Sequence, residues 1–188
     1  MEFLNIFKEG KNYRDAFYQL YQEAFPKEEK KPADLMEQLT AQGKMEMLAI
    51  EEDGEFAGLA INMLGADAAL LDYFAISPEK RSGGYGGKAV QRLQERFRGR
   101  PYIFEIEMQD ENAPNAEDRK RRKKFYLRNG LKETGIFANV YHTDFELLTP
   151  DGKLTYDEYV ELLQEILGED AMGMLDPRPF FPETPSKK

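Results

Sequence analysis

At 188 residues the chain has the length of one domain with a C-terminal appendage, and two full domains would be cramped. Hydrophobic residues supply 41% of it, with 13 Phe and 10 Tyr, so it can bury a sizeable core and a wholly disordered chain is excluded. Its 26 basic and 35 acidic residues leave a net charge of −9, which argues against coating of nucleic acid or a membrane surface through nonspecific attraction to phosphates. Any anionic ligand needs a local site.

The absence of cysteine removes disulfides, thiolate nucleophiles and Cys-type zinc sites, and a single histidine, His142, cannot build a His-rich metal cluster. The opening segment MEFLNIFKEGKNYR is interrupted by charges, and no segment approaches the ~20 apolar residues of a membrane span. A soluble, cytoplasmic protein without a metal is expected.

In chain order, Tyr13, Phe17, Leu20, Tyr21 and Ala24 recur at the spacing of one helix face, which predicts a helix over about 12–25 that Pro26 stops. After the charged KEEKKP, a short helix is expected from Ala33 to Gln42, with Leu35, Met36 and Leu39 on one stripe and Gly43 at its end. MEMLAIEEDGEFAGLAINML reads as two strands joined by a tight turn at Asp53-Gly54. A second turn at 65–67 leads to ALLDYFAI, 69–76, whose nearly continuous apolar character suits a central strand.

Beyond Ser77-Pro78 and a glycine-rich turn, a helix over 87–98 and a strand over 102–108 complete the spacing of a β-α-β crossover. A charged helix over 116–129 ends at Gly130, and GLKETGIFANVYHTDFELL, 130–148, supplies the last strand or strand pair. Thr155 to Leu167 forms an amphipathic helix in which Thr155 and Glu158 make a capping box. The expected organisation is one domain over 1–150, a C-terminal helix over 151–168 and a Pro-rich irregular tail over 169–188.

The segment ISPEKRSGGYGGKAV, Ile76 to Val90, carries the most chemistry. Gly83, Gly84, Gly86 and Gly87 lie between a buried strand and a helix start, where backbone can approach a ligand and aim free N–H groups at an anion with the help of the helix dipole. This predicts a phosphate cradle, the alternative being a merely flexible turn. A Walker A loop fails at Ser82 and Ala89, where Gly and Ser or Thr are required. The dinucleotide fingerprint is met by Gly84, Gly86 and Ala89 with Glu105 downstream, although SPEKRSG separates it from the strand, and it stays open as an alternative.

Arg81-Ser82-Gly83-Gly84-Tyr85-Gly86 also resembles the R/Q-x-x-G-x-G/A signature of the GNAT superfamily of acetyl-CoA-dependent N-acetyltransferases. It follows Tyr73-Phe74-Ala75-Ile76-Ser77-Pro78, as that signature follows an apolar strand end and a Ser/Asp-Pro. Further on, Phe125-Tyr126-Leu127-Arg128-Asn129-Gly130-Leu131 resembles the family's F-Y-x-x-x-G-F segment, with Leu131 in place of the usual aromatic. The likeness is strong over 69–132 and extends by element order over about 3–148.

The resemblance implies a mixed α/β (α+β) fold, with a mostly antiparallel central sheet of six to seven strands flanked by helices. It implies acetyl-CoA as co-substrate. The backbone of Phe74, Ala75 and Ile76 would pair with the pantetheine arm, and after Arg81 the N–H groups of Ser82, Gly83, Gly84, Tyr85, Gly86 and Gly87 would hold the pyrophosphate. Tyr126 would protonate the departing thiolate. Arg119 and Arg122 stand where many members carry Asn and Ala.

Period-two alternation in 102–108 places Ile103, Glu105 and Glu107 on one face. Acids on such a strand suit a general base or an amine site, with Glu107 the preferred base; the alternative is structural ions answering nearby Arg or Lys. Asp72 is a lesser candidate of the same kind. RKRRKK, Arg119 to Lys124, reads chiefly as a solvated helix face, with attraction of coenzyme phosphates as the second reading. The stretch Thr149 to Glu158 imitates half an EF-hand loop but lacks its first carboxylate, so calcium binding is rejected. His142 is read as an ordinary histidine beside the last strands.

The expected activity is acetyl transfer from acetyl-CoA to an unidentified primary amine, on a small molecule or a peptide, by direct attack, because the chain offers no cysteine for a covalent relay. The alternatives are a dinucleotide-binding oxidoreductase and a non-catalytic acyl-CoA-binding regulator.

Overall fold

The structure is a computed structural model that describes residues 1–140, 142–179 and 181. It divides into two compact units, Met1–Tyr102 and Ile103–Lys188. Eight strands and five α-helices form among the described residues, and every strand pairing within either unit is antiparallel.

The first unit carries an antiparallel meander, β1 (Glu2–Asn5), β2 (Met45–Glu52), β3 (Glu55–Leu64) and β4 (Ala69–Ile76), in that spatial order. The β2–β3 turn forms because Asp53 and Gly54 both accept positive φ, 56° and 80°, the geometry whose twist matches the flanking strands. Helix α1 (Arg14–Ala24) buries Phe17, Leu20 and Tyr21, and α2 (Ala33–Ala41) buries Met36 and Leu39. Helix α3 (Tyr85–Arg96) buries Ala89, Val90 and Leu93. A chain of hydrogen bonds runs through this core: Tyr102 Oη donates to Asn62 Oδ1 (2.6 Å), Asn62 Nδ2 to Glu46 Oε1 (3.1 Å), and Arg96 Nη2 to Glu46 Oε2 (2.7 Å).

The second unit holds β5 (Tyr102–Glu107, its first residue still in the first unit), β6 (Lys132–Val140), β7 (Thr143–Thr149) and the short β8 (Arg178–Pro179). β7 pairs with β5 and β6, and β8 with β6. Helix α4 (Ala116–Arg128) precedes β6, and the expected strand pair after it is present. Helix α5 (Tyr156–Leu175) starts with the expected capping box: Thr155 Oγ1 accepts from the Glu158 amide at 3.2 Å, while Glu158 accepts from the Thr155 amide at 2.7 Å.

Two expectations differ from the structure. The edge strands β1 and β8 raise the strand count above six to seven, because two to four residues carry too little alternation to be read as strands. The helical conformation does not end at 168 but resumes beyond a kink at Gly168 (φ 80°, ψ 170°) and runs to Leu175, so 169–175 is not irregular. Residues 182–188 of the expected tail lie outside the described residues. Among the described residues no helix is long and apolar enough to cross a membrane.

Candidate active site

The glycine-rich loop emerges directly from β4. A single 3₁₀ turn, Pro78–Lys80, closes with the Lys80 amide on Ser77 O (3.0 Å), and Arg81 Nε folds back to donate to Ile76 O (3.1 Å). Residues 81–84 are exposed. Gly84 is the N-cap of α3 with φ 80°, and no side chain caps the helix. The α3 ladder opens with the Lys88 amide on Gly84 O (3.1 Å), so the amides of Tyr85, Gly86 and Gly87 precede it without an intrahelical acceptor. Uncapped N–H groups at the positive end of a helix dipole, reached across exposed glycine backbone, fit a pyrophosphate. Ser82 also takes positive φ, 65°. A β-carbon on Gly84 would meet no atom within 4 Å, so the glycine there serves backbone conformation and not close packing.

β4 holds two features that sequence reading missed. Its register against β3 runs Ile61↔Tyr73 and then Asn62↔Leu71, leaving Asp72 without an opposite residue in a β-bulge. Bulges re-aim side chains and cluster beside functional sites. The half-buried positions 72, 74 and 76 alternate with the buried 71, 73 and 75, so Asp72, Phe74 and Ile76 share the less buried side. Gly58 on β3 lets the end of β4 come close, since a β-carbon on Gly58 would lie 2.3 Å from Ala75 O and 3.1 Å from Ile76 Cα. The glycine was visible in the sequence, but its close partner depends on register.

In the second unit, Tyr126 lies on α4, its ring edge-on to Phe104 of β5 at 5.4 Å and to Phe125 at 5.2 Å. Burial pushes its phenol up to about 12, against the opposing pull of the Arg122 charge, so it carries its proton at neutral pH.

Glu105 and Glu107 are engaged by different helices. Tyr159 of α5 donates its hydroxyl to Glu105 Oε1 at 2.5 Å. Glu107 takes Arg119 Nη2 at 2.8 Å on Oε1 and Arg122 Nη1 at 3.3 Å on Oε2, with Asn115 Nδ2 donating to the same carboxylate. These are the contacts of an acid answering nearby arginines. They also revise the solvated-face reading of RKRRKK. Lys120 and Arg121 do pair with Glu117 and Asp118 one turn earlier, but Arg119 and Arg122 turn to β5. Lys123 reaches both oxygens of the buried Glu146 on β7 at 2.8 Å. Burial raises the Glu146 carboxyl above its ordinary range although Lys123 pulls it down, while Lys123 holds Glu133 below it.

The family model described as the acetyltransferase (GNAT) family matches residues 14–130. A GNAT-family protein from Bacteroides thetaiotaomicron has a similar fold at 24% identity, with a TM-score of 0.71 over 90% of this chain and 99% of that one. The aminoglycoside 6'-N-acetyltransferase from Enterococcus faecium is similar at 15% identity, TM-score 0.59, over 79% of this chain and 96% of that one. The same likeness holds for an aminoglycoside 6'-N-acetyltransferase in complex with coenzyme A. No curated protein matches by sequence. With its signature seated on an uncapped helix start and the family match spanning 14–130, the chain belongs to the acetyltransferase (GNAT) family.

Proposed function

We propose that the protein transfers the acetyl group of acetyl-CoA to a primary amine on a small molecule or peptide, by direct attack. The observation that carries this reading is the loop Ser82–Gly87, exposed over 82–84, whose last three amides precede the α3 ladder behind a left-handed Gly84. Those amides would hold the pyrophosphate, with Arg81 keeping the loop against the end of β4, and Phe74, Ala75 and Ile76 would pair with the pantetheine arm. Bound acetyl-CoA supplies the activated thioester. Tyr126, protonated at neutral pH, would return a proton to the departing sulfur.

For Glu107 the contacts favour the anchoring role: it fixes the first turns of α4, the helix that carries Tyr126, through Arg119 and Arg122. Glu105 does the same for α5 through Tyr159. Asp72, the lesser candidate of the three acids, is paired with Lys31 of the chain itself, Nζ to Oδ1 at 2.8 Å.

A thermal-shift panel with acetyl-CoA, CoA, NAD and ATP tests the reading, since ligands that bind the native state raise its melting temperature. Acetyl-CoA and CoA should stabilise the chain. Stabilisation by NAD alone would restore the oxidoreductase alternative, and CoA binding without thiol release on any amine would favour the regulator. Given turnover, Tyr126→Phe should slow acetyl transfer by roughly 10²–10⁴ with little change in coenzyme affinity. A rate within a factor of about two of wild type overturns the acid role.

A further inference from the structure

The link between α1 and α2 brings one of the chain's own amines onto the bulge of β4. Two bonds tie this link to the strand: Tyr73 Oη donates to Glu29 O at 2.6 Å and accepts from the Lys31 amide at 3.0 Å. From there Lys31 Nζ reaches Asp72 Oδ1 at 2.8 Å and lies 5.2 Å from the Tyr73 ring centroid. Tyr21 and Phe25 pack edge-on against the same ring at 5.0 and 4.9 Å. A carboxylate beside an aromatic face is the combination that selects an alkylammonium. Side-chain exposure is 9% for Asp72 and 26% for Lys31, so the acid is almost enclosed and the lysine is partly open. Asp72 Oδ2 is buried without a hydrogen-bond partner, an arrangement that costs on the order of 1–3 kcal/mol.

The position along β4 matters. With pyrophosphate at the loop that follows the strand, the pantetheine arm runs back over Ile76 and Phe74, and its thioester end lies farther back. Asp72 is the next residue on that side, ~7 Å from Phe74 along the strand. Resting on the reading that acetyl-CoA binds along β4, we infer that Lys31 is a site of self-acetylation. The Lys31 ammonium, 26% exposed as a side chain, gives up one proton to solvent, and its nitrogen lone pair forms the new C–N bond to the acetyl carbonyl carbon. The C–S bond breaks, the sulfur leaves as thiolate, and the second proton shed by the nitrogen as the amide forms ends on that sulfur. The products are an acetamide on Lys31 and free CoA, with one proton released overall. The nearby Lys30 cannot compete for this place, because its Nζ is turned to Gln22, at 2.9 Å from the carbonyl and 2.8 Å from Oε1.

Incubating the full chain with acetyl-CoA and no added amine, followed by proteolysis and mass spectrometry of every lysine, tests this. Lys31 should acquire acetyl at least ~10-fold faster than Lys30, because a held pair reacts faster than a diffusing one. Its rate constant should not depend on protein concentration, and Asp72→Asn should lower it about tenfold or more. A second readout needs no coenzyme: trace acetic anhydride should modify Lys31 more readily in Asp72→Asn than in wild type, where the ion pair shields it. Equal labelling of Lys31 and Lys30, a rate that grows with protein concentration, or equal anhydride reactivity in the two proteins overturns the inference. Calorimetry with CoA separates the two levels. CoA binding with no acetyl on Lys31 overturns self-acetylation alone, whereas absence of CoA binding overturns the proposed function with it.

Discussion

Gly84→Val is the sharpest probe of the cradle. Gly84 has φ 80°, and a β-carbon there would touch nothing within 4 Å, so the added β-carbon meets no collision and the substitution acts chiefly through the backbone. A left-handed conformation costs an ordinary L-residue roughly 1–2 kcal/mol, and a β-branched one more, toward about 3. If the loop keeps its shape, that cost appears as stability, a fall in melting temperature of about 2–4 °C per kcal/mol for a chain of this size. If the loop relaxes, stability recovers but the amides of Tyr85, Gly86 and Gly87 turn away from the pyrophosphate. Each charge-assisted hydrogen bond lost is worth about 1.5–3 kcal/mol, roughly a 10- to 100-fold weaker Kd. Gly84→Asn, whose side chain tolerates the left-handed region, should lose much less by either route. Differential scanning fluorimetry and calorimetric titration with acetyl-CoA on the same three proteins read both limits. A Gly84→Val protein with unchanged melting temperature and unchanged acetyl-CoA affinity would refute the argument, since neither the conformation nor the amides would then matter.

Gly58→Ala should be more damaging than any exposed glycine change, because its β-carbon meets the fixed Ala75 carbonyl; we expect a loss of roughly 1–3 kcal/mol in chemical denaturation together with weaker acetyl-CoA binding, and wild-type behaviour would show that β3 and β4 can separate freely. Glu107→Gln should cost about 1–2 kcal/mol of stability by weakening the Arg119 and Arg122 pairs and leave the shape of the pH–rate profile unchanged. A loss of turnover confined to neutral pH and recovered at high pH would instead make Glu107 the base. The Tyr126 phenol is raised from an ordinary 10 to about 12 in the folded chain, so its contribution is complete below the unfolded value and is lost as pH rises through the folded one. Tyr126→Phe should therefore flatten the alkaline loss of stability by up to about 3 kcal/mol, and urea midpoints that fall equally steeply in both proteins would contradict this.

Local chemistry made much of the protein legible in advance. The Asp53-Gly54 turn, the Thr155–Glu158 capping box, the stripes of α1 and α3, and Met36 and Leu39 of α2, though not Leu35, which is exposed, follow from backbone freedom and helical spacing within a few residues, which a single sequence displays. The glycine-rich turn between β4 and α3 was legible for the same reason, although Gly86 and Gly87 fall inside the first turn of the helix and not ahead of it. What the sequence could not supply was partnership. Glu105 and Glu107 are two residues apart on one strand, yet one meets Tyr159 and the other Arg119, residues 54 and 12 positions away along the chain. Asp72 reads as a polar break in an apolar strand until the β3–β4 register leaves it unpaired, and Lys31 reads as part of a charged linker until Tyr73 ties that linker to β4. Periodicity assigns a side chain to a face, but an ion pair depends on which distant segment packs there, and that is fixed only when the strands choose their register and the helices dock.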